Sequence, residues 1–329
     1  MVIRVSWRNA AALALAAALT GGALAQSTFP TKTVTITVPV GTGGGTDLVA
    51  RRLAKALSEQ WSQPVVVENK PGASGIIGAN LVIRSAPDGH NLLLVWDGPI
   101  VATPVLFKRP DYEPLKQLTP LSQVTTQGYA VMVHPSVPAR NVSELIAHIK
   151  KKNADKETFG FATSSVGAAD HLSGELFRAM AGVEIVTVNH AGTGPAIINV
   201  LGGHVPYGHF SFTAALPHIK TGALRVLAIT SDKRSALLPD VPTVGESLPG
   251  YHYQSWIGVF GPAGMSESLR DRISRDIRNA VNSPDVSNAL TNNGLVPTVS
   301  DPATFSEFIR QDAIRTAETI RRANLKIEQ

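Results

Sequence analysis

The stretch "VPVGTGGGTDLVARRLAKAL", Val38–Leu57, decides the fold because it joins a strand to a helix through glycine. Val34–Val38 reads as a strand, Gly41–Gly45 places four glycines in five positions, and an amphipathic helix opens at Thr46 or Asp47. Strands that feed helices through short turns build α/β proteins, whose ligands sit beyond the carboxyl ends of the strands. A helix N-terminus offers unpaired N–H groups and a partial positive charge. The turn therefore suits a phosphate or a carboxylate, or serves only as a tight connection.

The same rhythm runs along the chain. Val65–Glu68 precedes helical Ile76–Ile83, Asn91–Trp96 precedes a loop, Phe159–Ala162 precedes His171–Met180, Glu184–Val188 precedes Ala196–Leu201, and Ala223–Thr230 reads as a strand. These units are too many for one small sheet. Two extended apolar segments, Leu121–Val133 and Tyr253–Phe260, fall where the rhythm breaks. If both cross between sheets, 127–252 is a domain inserted into one formed by 26–126 plus 253–329, to which the helices Ser266–Ala280, Ser283–Leu290 and Pro302–Ala323 return. The expectation is an α/β chain of two lobes with a cleft between them.

The 329 residues are 43% hydrophobic and 17% charged, which allows two domains with sizeable cores. Residues 1–25 stand apart. Arg4 and Arg8 precede the apolar run Ala10–Leu19, and Ala23-Leu24-Ala25 gives a small-x-small cleavage signature, so 1–25 reads as a secretory signal peptide with the mature chain starting at Gln26. The run is shorter than the roughly 20 residues that span a membrane. With no cysteine, the exported chain relies on its core rather than on disulfides and has no residue to carry a lipid anchor. A soluble periplasmic protein is expected. Without Arg4 and Arg8 the formal charge falls from +5 to +3, too little for a nucleic-acid partner.

Two more loops resemble the first: Thr163–Gly167 ahead of His171, and Ala191–Pro195. Two or three helix N-termini facing one cleft would hold a carboxylate without arginine. Enzyme signatures are missing. Gly41–Thr46 lacks the third glycine of a dinucleotide loop, no G-K-[ST] follows, and neither H-E-x-x-H nor G-x-S-x-G occurs. Ser74, within Gly72–Gly75, is out of frame for a nucleophile, and His204, His209 and His218 lack the cysteine or carboxylate of a metal set. Asp97 with His190 is the one pair to nominate for chemistry, so the expectation is no catalytic residue, no metal and no cofactor.

The quoted stretches "FPTKTVTITVPVGTGGGTDLVARRLA", "QPVVVENKPGASGIIGA", "APDGHNLLL", "HLSGELFRAMAGVEIV", "ALPHIKTGALRVLAITSDKRSALLPDVPTVGES" and "SWIGVFGPAG" occur in the order found in the Bug proteins, and the mature chain resembles that family throughout. These are the extracytoplasmic solute receptors of tripartite tricarboxylate transporters. The resemblance implies a type II periplasmic-binding-protein fold: two lobes, each a mixed, mostly parallel sheet flanked by helices, joined by two crossover strands. It further implies closure over a small di- or tricarboxylate or aromatic acid, membrane permease subunits as partners, and a monomer. A sensor that presents its ligand to a two-component system has the same signature.

The family's first loop implies ligand contacts at Gly43, Gly44, Thr46 and Asp47, the last of these equally readable as a first-turn carboxylate that organises the loop. Its second loop implies contacts at Ser165, Gly167 and Ala168, where Ala168 replaces the expected hydroxyl; its third implies His190 and Gly192, with His190 and Ala191 replacing tyrosine and lysine. Phe210 stands in place of a family aspartate, and Trp96-Asp97 in place of small polar residues. Facing inward, Trp96 and Phe210 would wall an aromatic ring. Asp97 would repel a carboxylate but pair with the amine of an amino acid or an N-heterocyclic acid, and a protonated His190 would neutralise either acid.

Overall fold

The computed structural model describes residues 29–107, 109, 111–322 and 325; the signal-peptide reading of 1–25 lies outside them. The chain opens as the rhythm predicts, with β1 (Val34–Val38), α1 (Gly45–Trp61), β2 (Val65–Asn69), α2 (Ile76–Ile83) and β3 (Asn91–Trp96); β1 pairs in parallel with both β2 and β3. The loop expected after Trp96 is instead helical: a π-helical turn, Gly98–Ala102, runs into α3 (Thr103–Phe107). Asp-Gly-Pro reads as a turn, yet Pro99 lies in the first helical turn, where its missing N–H costs no hydrogen bond. The short α4 (Pro114–Gln117) follows.

The extended segments cross between the sheets. β4 (Leu118–Gln127) belongs to the first sheet and, after Gly128 alone, β5 (Tyr129–Val133) belongs to the second. The second sheet is completed by β6 (Gly160–Thr163), β7 (Val186–Asn189), β8 (Tyr207–Ser211) and β9 (Arg225–Ile229), with α5 (Val142–Ala154), α6 (Ala169–Ala181), α7 (Thr193–Leu201), α8 (Phe212–Lys220) and α9 (Val244–Ser247). The chain returns as β10 (Ser255–Pro262), followed by α10 (Glu267–Asn282), α11 (Pro284–Thr291), β11 (Val296–Pro297) and α12 (Pro302–Arg322). Strand orders are β11-β4-β10-β3-β1-β2 and β7-β6-β8-β5-β9. Only β10 and β11 in the first sheet and β5 in the second run against their fellows, so both sheets are mixed and mostly parallel. One threonine ties the two crossings: the Tyr129 amide donates to Thr230 Oγ1 (2.7 Å), the Thr230 amide to Tyr129 O (2.9 Å) and the Tyr253 amide to Thr230 O (2.8 Å).

Each lobe has its own core. Val49, Leu53 and Leu57 recur every fourth residue of α1 and bury against Ile36 and Leu92, each fully buried leucine contributing about 1.5–3 kcal/mol. In the second lobe, strand alternation sorts side chains: Val131 and Val133 face Phe161 and Phe177, while Ala130 and Met132 face Phe210 and Phe212. His209 sits on the first of these faces, its Nδ1 2.7 Å from Ser173 Oγ, among the rings of Phe161, Phe177 and Tyr207. Burial holds its pKa down at about 3, so it is a neutral core residue.

Candidate ligand-binding site

The loops at the carboxyl ends of β1, β2 and β3 meet those of the second lobe, and the lobes touch. Thr213 Oγ1, at the start of α8, donates to Asn293 O (2.8 Å) and stands 3.6 Å from where a Cβ on Gly45 would be. Ala102 and Leu106 pack with Leu172 of α6 and Ile320 of α12.

The glycine turn after β1 projects freely. Gly41–Gly44 are exposed, and a Cβ added to Gly41, Gly43 or Gly44 would meet nothing within 4 Å. Gly43, at φ +88°, requires glycine; Gly44, the N-cap of α1 at φ −83° and ψ 171°, does not. Asp47 points back under the turn. Its carboxylate accepts from the Gly43 amide, Arg51 Nε and Asn69 Nδ2, all at 2.9 Å. Burial raises its pKa, but these bonds outweigh burial and hold it below the usual range. Asp47 therefore organises the loop and pairs with Arg51, while Gly45 and Thr46 lie in the first turn of α1, where a helix leaves backbone N–H groups without an intrahelical partner. Asp47→Ala is expected to cost about 1 kcal/mol of stability by removing the one acceptor that the Gly43 amide, Arg51 and Asn69 share and to weaken ligand binding, checked by urea unfolding and titration of the same preparation.

The second-lobe loops are tied to themselves. The Ser164 amide and hydroxyl donate to Asp170 (2.5 and 2.8 Å), the Gly167 amide to His171 Nδ1 (3.0 Å) and the Gly192 amide to Ser164 O (3.0 Å). Burial raises Asp170 to about 6 against the Ser164 bonds. The Gly167 and Gly192 amides, which the family loops imply as ligand contacts, are here bonded to the chain's own groups. His190 donates Nδ1–H to Thr163 O (3.2 Å).

Trp96, Ser165, Gly167 and Ala168 do come together, lining a slot of about 50 Å³ between the lobes. Sequence reasoning missed Ser74, Thr103, Leu106 and Phe107, which line it too. Ser74 lies in a run of four left-handed residues, Gly72 to Gly75 (φ +127°, +47°, +50°, +91°), strain of a kind that collects at functional sites. Its Gly-Ala-Ser-Gly sequence was the available signal. Leu106 and Phe107 were hidden by reading a loop where α3 stands.

Two expected contacts are elsewhere. Phe210 is fully buried on the α7 and α8 face of the second sheet, because the pleat sends alternate residues of β8 inward. It walls no cleft. Asp97 is 4% exposed and turns into a separate cavity of about 60 Å³ beside the crossings, lined also by Thr126, His252, Tyr253, Asp312 and Arg315. Ser255 Oγ donates to its Oδ1 at 2.5 Å. Burial, then the Asp312 carboxylate, push its pKa up to about 7. Asp97 and His190 therefore have separate partners and form no catalytic pair.

Residues 49–325 match the family described as the tripartite tricarboxylate transporter family receptor. The chain is 33% identical over 307 residues, 93% of each sequence, to the protein BugT of Bordetella pertussis. The structure of the periplasmic binding protein BugD superposes with a TM-score of 0.79 at 32% identity, covering 91% of this chain and all of that one. An R. palustris protein solved with adipate gives 0.81 at 28% identity over 91% of this chain and 99% of its own. These likenesses, with two mixed sheets joined by two crossings, identify a solute-binding receptor rather than an enzyme, and the chain belongs to the Bug family of periplasmic receptors of tripartite tricarboxylate transporters.

Proposed function

We propose that the protein captures a small organic carboxylate in the cleft between its lobes and passes it to the membrane subunits of a tripartite tricarboxylate transporter. The observation that carries this reading is the free glycine turn Gly41–Gly44 at the N-terminus of α1, with its Asp47 already satisfied by Arg51. Adipate in a structural relative supports the ligand class. Gly44 and Thr46 supply donors from the first lobe, Gly43 makes the turn that aims them with its own amide held by Asp47, Trp96, Ser165 and Ala168 shape the far side, and Gly167, His190 and Gly192 hold the opposing loops. The bodies that close are 26–126 plus 253–329 and 127–252, after a signal peptide has taken the chain to the periplasm. A monomer without cofactor suffices for this.

The test is a thermal-shift screen of the purified protein against aliphatic di- and tricarboxylates, aromatic acids and acidic amino acids. A ligand confined to the native state raises the melting temperature with concentration. At least one acid is expected to do so, and a panel without any shift would remove the carboxylate reading.

A further inference from the structure

The slot between the lobes differs chemically from the glycine turn. Among its described lining residues no side chain ionises: Trp96, Leu106, Phe107 and Val166 are apolar, and Ser74, Thr103 and Ser165 carry hydroxyls. The two buried carboxylates of adjoining segments are turned away, Asp170 onto Ser164 and Asp97 onto Ser255. Carbon borders the space closely, since Leu106 Cδ1 lies 2.5 Å from where a Cβ on Gly167 would stand. An ionised group entering the slot would lose its hydration and find no charged side chain among the described lining residues, whereas apolar carbon would gain by leaving water.

The turn and the slot stand at the same end of the first sheet. The turn follows β1 and Trp96 ends β3; these strands are paired neighbours, roughly 5 Å apart. We infer that the protein selects a monocarboxylate whose carboxylate lies at the glycine turn and whose uncharged, apolar end fills the slot lined by Trp96, Leu106, Phe107 and Val166, and that it rejects the matching dicarboxylate. This rests on the carboxylate reading above and narrows it. It also separates this chain from the relative solved with adipate, a diacid.

Calorimetric titration of two matched pairs tests the inference: hexanoate against adipate, and benzoate against benzene-1,4-dicarboxylate. Within each pair only the distal carboxylate differs. The monoacid is expected to bind at least tenfold more tightly in at least one pair. Val166→Lys, at a loop position 38% exposed, puts an ammonium at the slot and is expected to move the ratio at least tenfold toward the diacid. Diacids binding as tightly as their monoacids would overturn the selectivity while leaving the carboxylate reading intact. So would refusal of both monoacids while another acid of the thermal-shift panel binds. A ratio unmoved by Val166→Lys would overturn the slot as its source, and failure of every acid would defeat the carboxylate reading itself.

Discussion

Gly44→Asp is expected to weaken carboxylate binding by about a hundredfold or more while leaving the melting temperature unchanged or slightly raised. Gly44 is the N-cap of α1, its φ and ψ are open to any residue, and a Cβ there meets nothing. Aspartate is among the best N-caps, better than glycine by a few tenths of a kcal/mol. Its carboxylate would accept the first-turn amides that a ligand needs and repel the ligand's charge. Two charge-assisted hydrogen bonds lost at about 1.5–3 kcal/mol each account for the expected drop. Gly44→Asn occupies the same amides without the charge and separates the two effects. Differential scanning calorimetry and titration of the variants check both halves, and undiminished binding by Gly44→Asp would place the anion elsewhere.

Asp97→Asn is expected to stabilise the protein at pH 8 by up to about 4 kcal/mol and to leave it nearly unchanged at pH 4. The folded pKa of about 7 lies above the unfolded value of 3.8, so the folded state holds this proton more tightly. The stability it provides is complete below pH 3.8 and is lost as the pH rises to 7. At about 1.4 kcal/mol per pH unit the loss totals about 4 kcal/mol. Asparagine stays neutral throughout, and its Oδ1 can still accept from Ser255. Urea unfolding of both proteins at pH 4, 6 and 8 measures the difference; the same gap at every pH would show that Asp97 does not ionise against its surroundings in this range.

Much of the architecture was legible because its cause is periodic. Strand runs, glycine turns and four-residue helical spacing announce βα units wherever they occur, and the apolar run Leu121–Val133 continues across Gly128 because both flanking strands are buried. The site was less legible, since it depends on which way side chains point. Trp96 and Phe210 look alike as aromatic residues at strand ends, yet one lines the slot and the other lies in the core, a difference set by pairing register. Asp97 looked like a ligand contact for the same reason. The Asp-Gly-Pro that follows Trp96 carries both turn and helix-start chemistry, and the apolar packing of Ala102 and Leu106 against Leu172 and Ile320 favours the helix. Asp47 and Asp170 show a further limit: the sequence places a carboxylate in each first helical turn, but only the folded loops show each one claiming its own backbone amide.

The stitching of both crossings to Thr230 gives the second lobe the character of a cassette. Its two ends are joined at one residue, so a relative's lobe carrying the same junction fits without lengthening either strand. Two crossovers, one at each junction, would thus exchange one side of the cleft and leave the other untouched, a short route by which a lineage of such receptors acquires new ligands.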